Sequence, residues 1–207
     1  MIDLVHGATL FGAIVLAGGR ARRMGGVRKP TRQVAGVPMI ERVLAAVAPA
    51  GPPIVVGPAD VVASVTVPTM EETPPGGGPV AAIAAVFDAH RTALADVVVI
   101  VAGDLPLLTV AAVRDLTATV RHGRVDGAVF VDRDGRRQWL CGAWWSASIA
   151  GSLATLAAAR GGLAGAALRD LLGSLAVADV SHEGEPPPWF DCDTDDDIRR
   201  AEEWLTR

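Results

Sequence analysis

The feature of this sequence that most restricts its fold is a short apolar run that ends abruptly in two glycines and a basic loop. Residues 13–17 are long enough for one buried strand, and Gly18 and Gly19 follow at once. Glycine lets a backbone approach a ligand closely, because it has no Cβ and tolerates positive φ. The residues that follow are strongly basic and include Arg20, Arg22, Arg23, Arg28 and Lys29. Backbone N–H groups beside such side chains suit a polyanion, so the segment predicts a phosphate-binding loop.

Two common types of phosphate-binding loop do not fit this segment. A Walker A loop places a lysine and then Ser or Thr directly after its last glycine, whereas here Gly25 and Gly26 are followed by Val27. A dinucleotide-binding loop needs a G-x-G-x-x-G pattern directly after the strand, and residues 18–23 do not provide it. The loop therefore belongs to another class of phosphate-binding segment.

Short apolar runs alternate along the chain with segments of helical periodicity. The runs predict strands, and the spacing of apolar residues predicts the helices between them. The predicted strands comprise residues 13–17, 54–56, 65–67, 97–101, 127–131, 140–144 and 175–180. The predicted helices comprise residues 39–48, 80–90, 110–121, 147–159, 163–172 and 198–206. Thr194 is the expected N-cap of the last helix.

This alternation, with 50% hydrophobic residues and few aromatic ones, is typical of Val- and Leu-rich parallel strands covered by Ala- and Leu-rich helices. We expect an α/β fold that forms a single domain over residues 1–207. It would contain one Rossmann-like, doubly wound, mostly parallel sheet with helices on both faces. In such sheets, ligands bind at the carboxyl ends of the strands.

Charge and composition argue against several classes of partner. The formal net charge is −4, so the basic cluster in residues 20–32 is local and favours a small anionic ligand over nucleic acid or a membrane surface. No apolar run approaches the roughly 18–20 residues that span a bilayer, and no secretory signal is visible. Cys141 and Cys192 follow no pairing pattern and are expected to be reduced. We therefore expect a soluble, cytoplasmic protein.

A single carboxylate follows the clearest central strand. Asp104 comes directly after the apolar run 97–101 and a short Ala-Gly step, which places it at the carboxyl edge of the sheet beside the first loop. Mg²⁺ takes oxygen ligands and commonly binds one or two carboxylates together with substrate phosphates. Asp104 is therefore a predicted Mg²⁺ ligand. The alternative is that it caps the turn into the next helix.

A third segment, residues 71–79, is rich in glycine and proline. Such a loop is stiff and has few side chains, so it can lie against a planar base and contact the edge of that base through backbone groups. The alternative is a plain connection between two elements.

Through these segments the chain resembles the nucleotidyltransferase family that includes molybdenum cofactor guanylyltransferase. Its first loop fits the family signature L-A-G-G-x-x-x-R-M-G-x-x-x-K without a gap. The residues in register are Leu16, Ala17, Gly18, Gly19, Arg23, Met24, Gly25 and Lys29. The family's A-x-D-x-P segment matches at Asp104, and its acid-x-x-P-G-x-G-P segment matches residues 72–79, with Glu72 where the family usually has Asp. The resemblance covers residues 11–205.

The resemblance implies Mg²⁺-dependent transfer of GMP from GTP to molybdopterin, with release of pyrophosphate. It implies that Arg23 and Lys29 hold the phosphates and that Asp104 binds Mg²⁺. The implied nucleotide contacts are Leu16, Ala17, Gly18, Gly19, Lys29, Glu72, Gly78, Pro79 and Asp104. Residues 11–110 would form the nucleotide-binding half and residues 111–207 the acceptor-binding half. The resemblance also implies transient contacts with other molybdenum-cofactor proteins.

Some residues depart from the family pattern near the expected site. Arg28 stands where the family usually has Asp, and Trp139 where it has proline. Asp191 and Asp193 replace asparagines, and Asp193 either joins Asp104 in a two-metal arrangement or caps the last helix. Arg28 and Trp139 motivate an alternative from another class, a non-catalytic nucleotide-binding module. Within the enzyme class, cytidylyl transfer to molybdopterin and guanylyl transfer to phospholactate remain open.

Overall fold

A central sheet organises the chain in the computed structural model, which describes residues 11–18, 29–71, 75–90 and 94–207. The strands are β1 (Gly12–Leu16), β2 (Gln33–Val34), β3 (Val37–Pro38), β4 (Ile54–Gly57), β5 (Thr69–Glu71), β6 (Val97–Ala102), β7 (Gly127–Val131), β8 (Arg137–Trp145) and β9 (Val177–Ser181). The helices are α1 (Met39–Val47), α2 (Ala59–Val62), α3 (Pro79–Ala89), α4 (Val110–His122), α5 (Ser146–Arg160), α6 (Leu168–Leu172) and α7 (Asp195–Leu205). One turn of 3₁₀ helix, Lys29–Thr31, precedes β2.

Seven of the described strands form one sheet in the order β5-β4-β1-β6-β8-β7-β9, and β2 and β3 form a separate antiparallel hairpin. Neighbouring strands are parallel except β8, which is antiparallel to both β6 and β7. β1 lies between β4 and β6, with Ile14 opposite Ile54 and Ile100. The expected α/β fold with a mostly parallel sheet is confirmed. The carboxyl ends of β1, β4 and β6 consequently meet at one edge.

Helices cover both faces of this sheet, as the apolar strands require. β6 is buried along its whole length, because a strand in the middle of a parallel sheet meets a hydrophobic layer on each side. On one face α1 and α4 supply Val43 and Leu116. On the other face α3, α5 and α6 supply Ile83, Leu153 and Leu171. The sheet is therefore fixed from both sides, and its carboxyl edge is a rigid platform.

A small satellite core attaches α7 to the β2–β3 hairpin and α1. Its residues come from these elements, from the turn after β6 and from the segment before α7; they are Val34, Met39, Leu107, Cys192, Ile198 and Ala201. The backbone N–H of Ala35 also donates to Oε1 of Glu202 at 2.9 Å. This packing holds the beginning of α7 beside the residues that follow the first loop.

The structure corrects some boundaries predicted from sequence. The predicted strand at residues 65–67 is wrong, since the strand in this region is β5, Thr69–Glu71, which pairs with β4 from Thr69 onward. The predicted helix over residues 163–172 is shorter, because Gly165 has a positive φ of 71° and α6 begins only at Leu168. Conversely, β8 extends beyond the predicted residues 140–144. No helix of the described chain is long and apolar enough to cross a membrane.

Candidate functional site

The ends of β1 and β6 bring the first predicted site residues together. The N–H of Gly103 donates to the carbonyl of Leu16 at 2.9 Å, and the N–H of Ala17 donates to the carbonyl of Val56 at 2.7 Å. A Cβ on Gly103 would lie 3.4 Å from Cα of Ala17, so this glycine permits close approach of the two strand ends. Asp104, the next residue, is thereby placed beside Gly18, where the first loop begins.

Asp104 is partly buried, and its environment disfavours the charged form. Burial raises the pKa of its carboxyl group, the charge of Lys29 opposes that rise, and the nearby Asp191 adds to it. A carboxylate that has lost water gains strongly from a cation placed next to it. Asp104 therefore has the environment expected of an oxygen ligand that is completed by a positive charge.

Lys29 lies across from Asp104 and forms an ion pair with the carboxylate of Asp193. One turn further on, Nη1 of Arg32 lies 2.6 Å from Oδ1 of Asp195. Both ion pairs join the segment after the first loop to the segment that leads into α7. The basic cluster of the sequence is thus partly matched by acids from the other end of the chain.

The backbone of residues 191–195 is held in place from both sides. The N–H of Cys192 donates to the carbonyl of Asp104 at 3.3 Å. Thr194 caps α7 as predicted, since its Oγ1 accepts from the N–H of Asp197 at 3.1 Å. In return, Oδ2 of Asp197 accepts from the N–H groups of Asp193 and Thr194, at 3.1 and 2.7 Å. The alternative that Asp193 itself caps α7 is therefore wrong, and its role as a second metal ligand stays a prediction.

Two aromatic contacts anchor the same segment. The ring of Trp189 packs on Phe130 with centroids 5.2 Å apart, and that of Phe190 meets Trp204 edge-on at 5.0 Å. Cys192 follows these two aromatic residues in the chain. Burial and nearby acids raise the pKa of its thiol to about 12. Cys192 and Cys141 are both buried and free, in agreement with the expectation of reduced thiols.

The glycine- and proline-rich loop precedes α3 at the same edge of the sheet. Gly76 and Gly78 have positive φ values of 74° and 87°, a conformation that glycine adopts without strain. Pro79 is the first residue of α3, and the carbonyl of Gly78 accepts from the N–H of Ala82 at 3.1 Å. The carbonyl of Gly77 is tied to the N–H of Gly165 at 2.8 Å. Residues 75–79 are thus shaped by glycine conformation, and Gly77 is tied to the segment before α6.

The structure collects part of the predicted set and leaves part untested. Leu16, Ala17, Gly18, Lys29 and Asp104 lie around the ends of β1 and β6, while Gly78 and Pro79 lie further along the same edge, at the start of α3. Gly19, Arg23, Arg28 and Glu72 lie outside the described residues, so the roles expected of them stay predictions.

Sequence reasoning missed a stacked group at the start of β8. The guanidinium of Arg137 lies 5.5 Å from the ring centre of Trp139 and forms an ion pair with Asp179 at 2.6 Å. The ring of Trp139 also stacks on the ring of Trp144, with 6.3 Å between the ring centres. The unusual Trp139 was the signal available in the sequence, but no local pattern specifies its stacking on Trp144 of the same strand or the pairing of Arg137 with Asp179 of β9.

The residues at this edge fit a magnesium ion that substrate phosphates would complete. Among the described residues there is no group of three or more His, Cys, Asp or Glu side chains that could hold a metal. Asp104 nevertheless offers a hard oxygen donor in a desolvated position. Mg²⁺ usually binds in this way, through one or two carboxylates and phosphate oxygens rather than a cage of protein ligands.

The carboxyl edge of this sheet can receive the phosphates of a nucleotide together with the cation that accompanies them, which is the arrangement of a nucleotidyltransferase. More particularly, the chain belongs to the family of the MobA-like NTP transferase domain, whose model matches residues 13–179. The fold, the enzyme class and the family expected from the sequence are therefore confirmed.

Known proteins similar to this chain carry related names. A molybdenum cofactor guanylyltransferase from Bradyrhizobium sp. (strain ORS 278) is 38% identical over 112 residues, which are 51% of this chain and 50% of that protein. The match thus spans about half the length of this curated relative.

Solved structures support the same fold. Molybdopterin-guanine dinucleotide biosynthesis protein A from Archaeoglobus fulgidus superposes with a TM-score of 0.72 at 21% identity, over 95% of this chain and 99% of that one. The 2-C-methyl-D-erythritol 4-phosphate cytidylyltransferase from Thermus thermophilus gives a TM-score of 0.68 at 18% identity, over 95% and 99%. At these identities the likeness concerns the fold alone.

Proposed function

We propose that this protein transfers GMP from GTP to molybdopterin and releases pyrophosphate, with Mg²⁺ held at Asp104. The observation that carries the proposal is the position of Lys29 and the desolvated Asp104 together at the carboxyl ends of β1 and β6. The name of the curated relative that is 38% identical over about half of the chain supports the choice of GTP and molybdopterin. Its setting would be the cytoplasm, with transient contacts to other molybdenum-cofactor proteins.

The reaction needs charge stabilisation more than proton transfer. An oxygen of the acceptor phosphate attacks the α-phosphorus of the nucleotide in line, and the bond from that phosphorus to the bridging oxygen of pyrophosphate breaks. The acceptor phosphate is already an anion at neutral pH, so no general base is needed. The protein must instead bring two polyanions together and stabilise the added charge.

Each group of site residues has a part in this scheme. Lys29 and Arg23 bind phosphate oxygens, and the backbone around Gly18 and Gly19 approaches them closely because it has no side chain there. When bound, Mg²⁺ supplies positive charge to the α-phosphate and to the leaving pyrophosphate. The loop with Glu72, Gly78 and Pro79 holds the base and ribose. The acceptor binds on the side of residues 111–207.

Turnover of GTP with molybdopterin and Mg²⁺, measured as pyrophosphate release, tests this proposal. Replacing Lys29 or Asp104 by alanine removes a charge that stabilises the transition state, and such a loss typically lowers the rate by roughly 10²- to 10³-fold. Asp196→Asn is the matched control, because Asp196 is exposed and pairs with Arg199 within α7. Full activity in both alanine variants would contradict the proposal.

The same assay separates the remaining alternatives. Pyrophosphate release with CTP in place of GTP would indicate cytidylyl transfer. Release with phospholactate in place of molybdopterin would indicate a different acceptor. Nucleotide binding without pyrophosphate release from any of these mixtures would instead assign the chain to the nucleotide-binding modules.

A further inference from the structure

The ammonium group of Lys29 already has an anionic partner in the protein without substrate. It pairs with Asp193, and the Lys29 side chain is only 20% exposed whereas that of Asp193 is 61% exposed. The charge of Lys29 also acts on Asp104, whose pKa it lowers against the larger effect of burial. Lys29 is therefore shared between the aspartate predicted to bind metal and a second aspartate on the solvent side.

Asp193 is not a freely moving surface acid. Its own N–H donates to Asp197 at 3.1 Å, and the N–H of the preceding Cys192 donates to the carbonyl of Asp104 at 3.3 Å. The backbone that carries this carboxylate is therefore fixed between the end of β6 and the capped end of α7. A second ion pair, Arg32–Asp195, joins the same two segments.

The ion pair is not what holds α7 in position. α7 is packed through Ile198 and Ala201 against Val34 and Met39, and exposed ion pairs contribute little to folding stability. The carboxylate of Asp193 instead pairs with the ammonium group of Lys29, to which a phosphate would bind. An incoming polyanion must displace Asp193 from Lys29, and the nearby carboxylate of Asp104 also repels it.

We propose that Asp193 is the counter-ion that a triphosphate must displace from Lys29, and that this competition makes triphosphate binding depend on a divalent cation. With a cation at the site, the added charge offsets the carboxylates while Lys29 turns to the phosphate. Without a cation, the phosphate competes alone against a fixed carboxylate. This inference rests on the proposed function only in that a triphosphate binds here, and it is independent of the base and the acceptor.

Calorimetric titration of inorganic triphosphate, with and without Mg²⁺, tests this inference. Asp193→Asn should bind metal-free triphosphate about fivefold more tightly than the unmodified protein, the upper end of what an exposed ion pair contributes. Its gain in affinity on adding Mg²⁺ should be smaller by the same factor. Asp196→Asn removes the same charge from the first turn of α7 but leaves Lys29 paired, because its partner is Arg199. This control should change the affinity by less than about twofold.

A double substitution identifies the partner. In a Lys29→Met background, Asp193→Asn should no longer improve metal-free binding relative to Asp196→Asn, since no ammonium group is left to release. Asp193→Ser provides a second variant without the charge, and a thermal melt of each protein verifies that it is folded.

The inference is overturned if Asp193→Asn and Asp196→Asn bind metal-free triphosphate equally. It is also overturned if the gain persists without Lys29, or if no variant binds triphosphate. Failure of GTP turnover would leave the result intact, because inorganic triphosphate has no base. Equal affinities would overturn the inference even where GTP turnover succeeds.

Discussion

At the scale of single residues, Asp104 lowers the stability of the folded protein when its carboxyl group is ionised. Burial raises the pKa of this carboxyl group above the usual aspartate value, and Lys29 only partly opposes that rise. The folded state therefore binds the proton more tightly than the unfolded state does, and the stabilisation from the neutral form is lost as the pH rises through the raised pKa. Ionised Asp104 is destabilising at neutral pH, which is a common property of residues kept for function.

We therefore expect Asp104→Asn to melt at a higher temperature than the unmodified protein at neutral pH, although it loses activity. The difference in the free energy of unfolding should shrink as the pH falls toward the ordinary aspartate pKa, because both proteins are then neutral at this position. Thermal melts across this pH range measure the difference. Asp196→Asn serves as the control, and an Asp104→Asn protein that is less stable at neutral pH would contradict the argument.

The residue scale also shows what the sequence could predict of the site. Leu16, Gly18 and Asp104 were predicted together because parallel strands end at one edge, and a strand end is a local signal. The partner of Lys29 was not predicted, because Asp193 is 164 positions away and only the packing of α7 on the β2–β3 hairpin brings it near. The sequence indicates instead a cap of the last helix or a second metal ligand at Asp193.

At the scale of elements, the sequence predicts long, uniformly apolar strands well, but it does not predict where a short strand at the edge of the sheet begins. β6 is apolar throughout and was placed almost to the residue. Residues 65–67 are equally β-prone, yet pairing with β4 begins at Thr69, and the carbonyl of Pro68 accepts from the N–H of Val55 at 3.0 Å. Pro68 has no N–H to donate to the sheet. Which residues of this segment form the strand therefore depends on how they pair with β4, and the sequence of the segment alone does not specify that pairing.

The β7–β8 pair gives the element-scale prediction. Gly127 lies opposite Trp144, whose fully buried indole occupies the space that a Cβ on Gly127 would need. Gly127→Ala should lower the free energy of unfolding by about 1–3 kcal/mol, since the ring of Trp144 must shift in a packed core. Chemical denaturation measures this change.

Gly151 is the matched control for that substitution. It lies within α5, and a Cβ there would meet no atom within 4 Å. Gly151→Ala should therefore raise the free energy of unfolding by about 0.5–1 kcal/mol, because alanine favours the helix. Loss of stability in Gly151→Ala, or none in Gly127→Ala, would show that packing against Trp144 does not explain why position 127 is glycine.

At the scale of the whole molecule, residues 11–110 and residues 111–207, the halves expected to bind the nucleotide and the acceptor, share one sheet. β6 belongs to residues 11–110 and pairs along its length with β8 from residues 111–207. The segment before α7 then returns to bond the carbonyl of Asp104. Separating the two ranges would expose the apolar edge of β6 and break the candidate site, so residues 11–110 and 111–207 form a single structural unit.

This continuity predicts one cooperative unfolding transition for the chain, which a bound nucleotide shifts as a whole. A ligand at about 100 times its dissociation constant stabilises the folded state by about 2.7 kcal/mol, which corresponds to about 5–10 °C for a domain of this size. Differential scanning calorimetry with GTP and Mg²⁺, and with CTP in parallel, measures the shift, and Asp104→Ala should reduce it. Two separate transitions, of which the nucleotide moves only one, would mean that the halves unfold independently despite the shared sheet.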